Sequence, residues 1–123
     1  MKALLDTNFL LIPGRFRVDV FSELEGFGKP GLYTIDLVVK ELGMLAEGRG
    51  SDAGHARLGL SLLEKKGVTV LETRGEHADK ELVRLASSRG YAVCTQDREL
   101  QKALKEKGVK VISLRQGARL ETL

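Results

Sequence analysis

The chain has 123 residues, of which 42% are hydrophobic and 30% charged, a balance that suits one well-solvated globular domain over residues 1–123. A formal net charge of +3 is compatible with nucleic-acid binding without indicating it, and the lack of tryptophan with only two Tyr and four Phe argues against a base-stacking platform. No apolar run reaches the roughly 18–20 residues of a membrane span, and a single cysteine excludes an intramolecular disulfide, so the sequence predicts a cytoplasmic protein without a membrane partner.

The first predicted element is a short buried strand over residues 3–5, followed by three polar residues, Asp6, Thr7 and Asn8. A strand that ends in a carboxylate places it at the crevice where open α/β sheets bind ligands. Asp, Thr and Asn also favour turns and helix caps, so this stretch alone leaves both interpretations open.

Further along the chain, strand and helix signals alternate. Strands are predicted at residues 32–35, 68–71, 91–95 and 109–112, and helices at about residues 15–24, 36–47, 51–66, 76–88 and 97–107. Asp36 is expected to cap the second helix, and the polar, basic tail at 115–119 is assigned no element. Alternating strands and helices predict an α/β fold of three layers, α/β/α, with a five-stranded parallel sheet.

The apolar periodicity of these helices predicts which side chains face the core. The inward positions are Val20, Phe21 and Leu24 in the first helix, Leu58, Leu62 and Leu63 in the third, Leu82, Leu85 and Ala86 in the fourth, and Leu100, Ala103 and Leu104 in the fifth. Cys94, inside an apolar run, is expected to be a buried and inert thiol.

Three acids fall where a solvent-facing role does not account for them. Glu41 shares a helix face with Leu37, Val38 and Leu45, and Asp79 precedes Leu82 by three positions on an inward stripe. Asp97 leaves the end of the fourth strand as Asp6 leaves the first. If those strands are neighbours, four carboxylates meet at one rim of the sheet.

Four carboxylates in one pocket repel one another, and a hard cation such as Mg²⁺ or Mn²⁺ resolves that repulsion because it prefers oxygen ligands. Local explanations exist for each acid taken singly. For Asp97 this explanation is a helix cap, for Asp79 an ion pair with Lys80 or Arg84, and for Glu41 a position at the edge of the apolar stripe. Their joint occurrence at one rim favours a metal site.

At these positions the chain resembles the PIN-domain family of metal-dependent ribonucleases. The motifs that carry the resemblance are Leu5-Asp6-Thr7-Asn8, Val39-Lys40-Glu41-Leu42, Ala78-Asp79 with Leu82 and Ala86, and Thr95-Gln96-Asp97-Arg98-Glu99-Leu100. The resemblance covers essentially the whole chain and implies a five-stranded parallel sheet of strand order 3-2-1-4-5. It also implies an acidic Mg²⁺ or Mn²⁺ site that cleaves RNA.

The roles that the resemblance implies can be placed on this sequence. Asp6 and Asp97 are expected as direct metal ligands, Asp79 as a ligand directly or through water, and Glu41 as a group that orients water or a second ion. The ion lowers the pKa of bound water and polarises the scissile phosphate. Residues expected to support the acids are Thr7, Asn8 and Thr95; candidates for holding the RNA backbone are Arg98, Lys102, Arg115 and Arg119.

Two roles compete within the family. A compact chain suits the toxin of a type II toxin–antitoxin pair (VapC-like), inhibited by a small antitoxin protein and often dimeric. The sequence after Asp97, which runs on to residues 107–112, is more similar to PIN nucleases of ribosomal-RNA processing. We favour the toxin role.

Three other classes fit less well. A phosphotransfer receiver domain needs an Asp ending strand three and a Lys ending strand five, and neither is present. A phosphatase with an Asp nucleophile on strand one usually has an acid two residues later, where this chain has Asn8, which cannot transfer a proton in that way. A non-catalytic scaffold that binds RNA or protein is disfavoured because all four acids are present.

Overall fold

The computed structural model describes residues 1–116 and 119–123. Its centre is a sheet of six strands in the order β3-β2-β1-β4-β5-β6. The strands are β1 (Lys2–Leu5), β2 (Gly31–Ile35), β3 (Thr69–Leu71), β4 (Ala92–Cys94), β5 (Val111–Arg115) and β6 (Arg119–Thr122). The first five are mutually parallel in the predicted order 3-2-1-4-5, and β6 adds an antiparallel edge to β5.

Seven helices connect the strands in the described residues. They are α1 (Thr7–Leu10), α2 (Ile12–Phe16), α3 (Val20–Glu25), α4 (Asp36–Glu47), α5 (Asp52–Lys65), α6 (Ala78–Arg89) and α7 (Arg98–Glu106). The chain crosses from β1 to β3 in one direction and from β3 to β5 in the other, so right-handed crossovers place α1–α5 and α6–α7 on opposite faces of the sheet. Within β1, the neighbouring Leu4 and Leu5 point to opposite faces and are both fully buried, which confirms that helices cover the two sides.

The N-terminal half differs from the sequence expectation. The single helix predicted at residues 15–24 is wrong: α2 ends at Phe16, and α3 begins only at Val20. Arg17 adopts a left-handed conformation (φ 56°) at the end of α2, and the Asp19 side chain accepts a hydrogen bond from Ser22 N, which starts a new helix. The inward positions of α3 are confirmed.

In α5 the predicted inward position of Leu58 is wrong, because this side chain is 41% exposed. The buried face of α5 consists of Ala53, Ala56, Gly59 and Leu63. A β-carbon at Gly59 would lie 2.9 Å from the carbonyl oxygen of Leu10. The small residues therefore let α5 approach the α1–α2 segment closely, which turns the larger Leu58 outward.

The C-terminal tail also differs from the expectation. Residues 119–122 form β6, where no strand was predicted, and Leu120 is buried against the core. The predicted fifth strand at 109–112 is shifted, since β5 spans Val111–Arg115. Positions 117 and 118 of the predicted polar tail lie outside the described residues. Within the part of the chain that is described, no helix has both the length and the apolar character needed to cross a bilayer.

Candidate active site

Asp6 lies at the carboxyl end of β1, at the centre of the sheet. Its backbone N–H donates to the carbonyl of Cys94 at the end of β4 (3.0 Å), so the pairing of the two strands fixes its position. The residue is only 5% exposed. One oxygen, Oδ1, accepts from Thr7 N at 2.8 Å, and Oδ2 accepts from the Thr95 hydroxyl at 2.7 Å. The fold thus holds a buried carboxylate in one orientation.

Thr95 and Asn8 join the two loops that follow β1 and β4. While the Thr95 hydroxyl donates to Asp6, its oxygen accepts from Asp97 N at 3.1 Å. The side-chain oxygen of Asn8 accepts from Gln96 N at 2.9 Å. The predicted supporting residues therefore connect Asp6 with the backbone that carries Asp97.

Asp97 is the N-cap of α7, as one of the local explanations proposed. Its Oδ1 accepts from the backbone N–H groups of Glu99 (3.0 Å) and Leu100 (3.1 Å). Its Oδ2 makes no hydrogen bond within the described residues, so the capping role leaves one oxygen available. Capping and ligation are compatible for this carboxylate.

Glu41 and Asp79 do not face the core, which corrects the sequence expectation for both. The two residues are exposed, while their neighbours Val38, Leu42 and Leu82 are fully buried. Asp79 lies in the first turn of α6 and Glu41 in the second turn of α4, where the apolar stripes of these helices meet solvent. Arg84 does not pair with Asp79, because it binds Glu81 at 2.8 Å.

The electrostatics nevertheless place the acids in one neighbourhood. The pKa of Asp6 is raised from 3.8 to about 6, chiefly by burial; the hydrogen bonds from Thr95 and Thr7 oppose this rise, and the negative charges of Asp79 and Glu41 add to it. Partial burial likewise raises the pKa of Asp79, with added repulsion from Asp97 and from Glu99. The charge of Asp79 thus affects the pKa of Asp6, and the charge of Asp97 affects the pKa of Asp79.

Glu99 is a member of this neighbourhood that the sequence reasoning missed. It lines a shallow pocket of about 330 Å³ together with Asp79, between α6 and α7. The sequence feature that could have identified Glu99 is its position two residues after Asp97, in the first turn of α7, which faces the same rim.

The fit of these residues to a divalent ion is partial. In residues 1–116 and 119–123, no three His, Cys, Asp or Glu side chains converge closely enough to hold a metal ion. The donors at the rim are all hard oxygen ligands, however, and Asp6 is a carboxylate buried among other negative charges. The Thr7 hydroxyl, next to Asp6, is buried and has no hydrogen-bond partner in the described structure. The donor chemistry therefore suits Mg²⁺ or Mn²⁺, although the ligands do not form a closed shell.

Two further carboxylates hold the loop between β3 and α6, which leads to Asp79. Asp36 accepts from Thr73 N at 3.0 Å and from the Thr73 hydroxyl, and these bonds lower its pKa. It is the first residue of α4 and not the predicted N-cap, which is Ile35. Glu81 accepts hydrogen bonds from Arg74 N at 3.1 Å and from Gly75 N at 3.0 Å. Its hydrogen bond from Arg84, together with these two, lowers the pKa of Glu81 to about 2.

The four basic residues suggested for RNA binding do not form one cluster around the acids. Arg98 and Lys102 are exposed along α7, where they line a groove that Leu123 closes. Arg115 pairs with Glu121 at 3.2 Å, and Arg119 is exposed at the start of β6.

Comparison with known proteins agrees with this fold. The sequence matches the family model described as "PIN like domain" over residues 3–117, and the chain therefore belongs to that family. It is 32% identical over 119 residues to "Ribonuclease VapC9" of Archaeoglobus fulgidus, a match that covers 96% of this chain and 86% of the relative. A solved structure described as "Structure of the PIN domain endonuclease Utp24" superposes with a TM-score of 0.81 at 23% identity, covering 98% of this chain and 90% of that one, so the two share the fold.

Proposed function

We propose that this protein is a divalent-metal-dependent ribonuclease, a hydrolase of RNA phosphodiester bonds. The observation that carries the proposal is the Asp6 carboxylate, buried at the end of β1 with a pKa raised to about 6 in the field of Asp79 and Glu41. Perturbed carboxylates gathered at the carboxyl edge of a parallel sheet are typical of active sites. The relative VapC9, a ribonuclease by name, supports the same activity.

Asp6, Asp97 and Asp79 would hold the ion, Mg²⁺ or Mn²⁺, which when bound supplies an activated water and a polarised phosphate. The chain's own contribution is orientation. The Thr95 hydroxyl fixes Asp6 Oδ2, and the cap of α7 fixes the Asp97 carboxylate with one oxygen available. At the exposed rim, Glu41 would act as a proton acceptor or water-orienting group. Neutral pH keeps Asp6 mostly ionised, since its pKa is near 6.

Cleavage of a labelled single-stranded RNA tests the activity. Wild type is compared with Asp6→Asn and Asp97→Asn in Mg²⁺, in Mn²⁺ and in EDTA, with Glu64→Gln, an exposed acid on α5, as the matched control. We expect wild type and the control to cleave only with an ion and both aspartate variants to be inactive while folded. Absence of cleavage under either ion, with equal RNA binding by all proteins, would replace the nuclease with a binding scaffold.

We also propose the cytoplasmic toxin role, with a small antitoxin as partner and a homodimer as the assembled form. The support is the similarity to VapC9 over 86% of its length. Induced expression in a bacterial host is expected to arrest growth for wild type and not for Asp6→Asn. Normal growth with soluble, active wild-type enzyme would contradict the toxin role, and sedimentation of the purified protein measures the oligomer.

A further inference from the structure

A cleft of about 810 Å³ lies outside the acidic rim, beside α6 and toward the edge strand β3. Its apolar floor includes Leu85, which is buried, and Leu71, which is half-buried. Its walls carry the guanidinium groups of Arg74, Arg84 and Arg89 and the carboxylate of Glu72. None of the basic residues that the sequence suggested for RNA binding lines it.

The charges of the cleft are unevenly compensated. Glu81 also lines it, but its carboxylate is already engaged by Arg84 and by two backbone N–H groups of the β3–α6 loop. Arg74 and Arg89 form no ion pair within the described residues, and Glu72 is exposed without a salt bridge there. The cleft therefore presents two uncompensated guanidinium groups against one uncompensated carboxylate.

The cleft adjoins the acidic site through the loop between β3 and α6. Arg74 and Gly75 in this loop line the cleft, and the loop leads to Asp79 in the first turn of α6. Arg89, the last residue of that helix, also lines the cleft. A strand leaving the rim can thus meet the guanidinium groups of Arg74 and Arg89.

We propose that this cleft holds the sugar–phosphate backbone of an RNA strand that extends from the acidic site, an inference that rests on the proposed function. Guanidinium groups bind phosphate oxygens in a bidentate fork. They bind carboxylates in the same way, so the choice of a phosphodiester chain as the occupant rests on the acidic site next to the cleft. The floor is aliphatic and the lining has no aromatic side chain, so bases pack there without specific readout. The cleft supplies affinity and direction rather than sequence recognition.

Fluorescence anisotropy of a labelled single-stranded RNA in EDTA, where no cleavage occurs, tests this assignment. Arg74→Gln and Arg89→Gln are each expected to weaken binding several-fold and to reduce the slope of log K against log salt by about 0.7 per lost phosphate contact. Glu72→Gln is expected to tighten binding, because it removes a repulsive charge. Arg49→Gln, in the exposed loop between α4 and α5, is the matched control and should bind as wild type does.

Three outcomes would overturn the assignment. They are wild-type affinity in both arginine variants, equal weakening by Arg49→Gln, and tight binding of labelled oligoglutamate with the same arginine dependence, which would indicate an acidic protein partner instead.

Hydrolysis of a small diester substrate tests the nuclease activity independently of RNA binding in the cleft. Hydrolysis of bis(p-nitrophenyl) phosphate in Mn²⁺ should be unchanged by Arg74→Gln and Arg89→Gln, since this substrate does not reach the cleft, and lost in Asp6→Asn. A comparable loss in the arginine variants would overturn the cleft assignment. Arginine-dependent RNA binding by a wild type that hydrolyses neither RNA nor the diester would support the cleft and contradict the proposed catalysis.

Discussion

Asp6 is the residue at which stability and chemistry conflict most directly. Transfer of a carboxylate from water into an apolar site favours its neutral form, and Asp6 shows this in a pKa of about 6. Two hydrogen bonds, from Thr7 N and the Thr95 hydroxyl, offset only part of the effect. The fold keeps a charge where an uncharged residue would suit the core better, as is common at functional sites.

The first prediction is that Asp6→Asn stabilises the protein at neutral and alkaline pH. The folded-state pKa of Asp6 lies above its ordinary value of 3.8, so the folded form binds this proton more tightly than the unfolded chain does. Wild-type stability relative to the variant therefore falls as pH rises from about 4 to about 6 and remains lower above that. Thermal unfolding in EDTA should show a higher melting temperature for the variant at pH 8 and a small difference at pH 4. A variant that melts below wild type at pH 8 would contradict this account.

The second prediction concerns Thr95, whose hydroxyl donates to Asp6 and accepts from Asp97 N. Thr95→Val keeps the shape of the buried side chain and removes both bonds, which should lower the free energy of unfolding by about 1–3 kcal/mol. Without this donor the pKa of Asp6 rises further, so the pH–rate profile of RNA cleavage should move to higher pH. Thr122→Val, at an exposed position of β6, is the control. A destabilised variant with an unshifted profile would restrict Thr95 to a structural role.

Among the elements, the most accurate sequence predictions are those where the apolar periodicity agrees with the residues that begin or end a helix. The bounds of α4 match residues 36–47 as predicted, and Gly90 ends α6 in the left-handed conformation expected of a helix-stopping glycine. No helix was predicted before residue 15, because Pro13 and Gly14 both have low helix propensity. In the structure Pro13 lies in the first turn of α2, where its missing N–H removes no helical hydrogen bond.

The sequence predicted the place in the fold of two candidate site residues, but not the orientation of the other two. Asp6 and Asp97 lie at the ends of the adjacent strands β1 and β4, as expected from the strand pattern. The inward orientation of Glu41 and Asp79 was wrong, because periodicity gives the face of a helix but not how far the rim of the sheet shields its first turns. The anchoring of the β3–α6 loop by Asp36 depends on a contact with Thr73 across 37 positions, which no local pattern indicates.

The third prediction tests the close approach of α5 to the α1–α2 segment. Gly59→Ala places a β-carbon 2.9 Å from the carbonyl oxygen of Leu10, so backbone must shift, and we expect a loss of about 1–3 kcal/mol. Gly43→Ala is the matched control, since a β-carbon there meets nothing within 4 Å in the middle of α4. That change should stabilise the protein by about 0.5–1 kcal/mol. Denaturant unfolding measures both, and equal effects would contradict the packing argument.

For the whole molecule, the charges separate along the strand direction. The carboxyl edge of the sheet carries Asp6, Asp97 and the acids of the first turns of α4 and α6. At the opposite edge the five parallel strands are each preceded or begun by a basic residue: Lys2, Lys29, Lys66, Arg89 and Lys110. Because helices end at that edge, their C-terminal dipoles favour cations there. The modest net charge of +3 thus gives no sign of the acids of the candidate site, at the acidic end of the molecule, or of the cations where the strands begin.

The fourth prediction follows from the acidic end. If Mg²⁺ or Mn²⁺ binds the folded rim and not the unfolded chain, it stabilises the whole molecule by mass action, by about 2.7 kcal/mol at a hundredfold excess over Kd. Thermal unfolding should therefore shift upward by several degrees on titration of wild type with Mn²⁺. Asp6→Asn should show little shift, and Glu64→Gln should follow wild type. The same shift in Asp6→Asn would place the ion elsewhere.

The hydrogen bond between Asp6 and Thr95 joins positions 89 residues apart. Such a contact forms late, because the intervening chain loses loop entropy before strand pairing compensates for it. A nascent chain still in the ribosome exit tunnel carries Asp6 from the outset but lacks the strand that orients it. The proposed active site is consequently absent from the nascent chain until β4 has been synthesised and has docked beside β1.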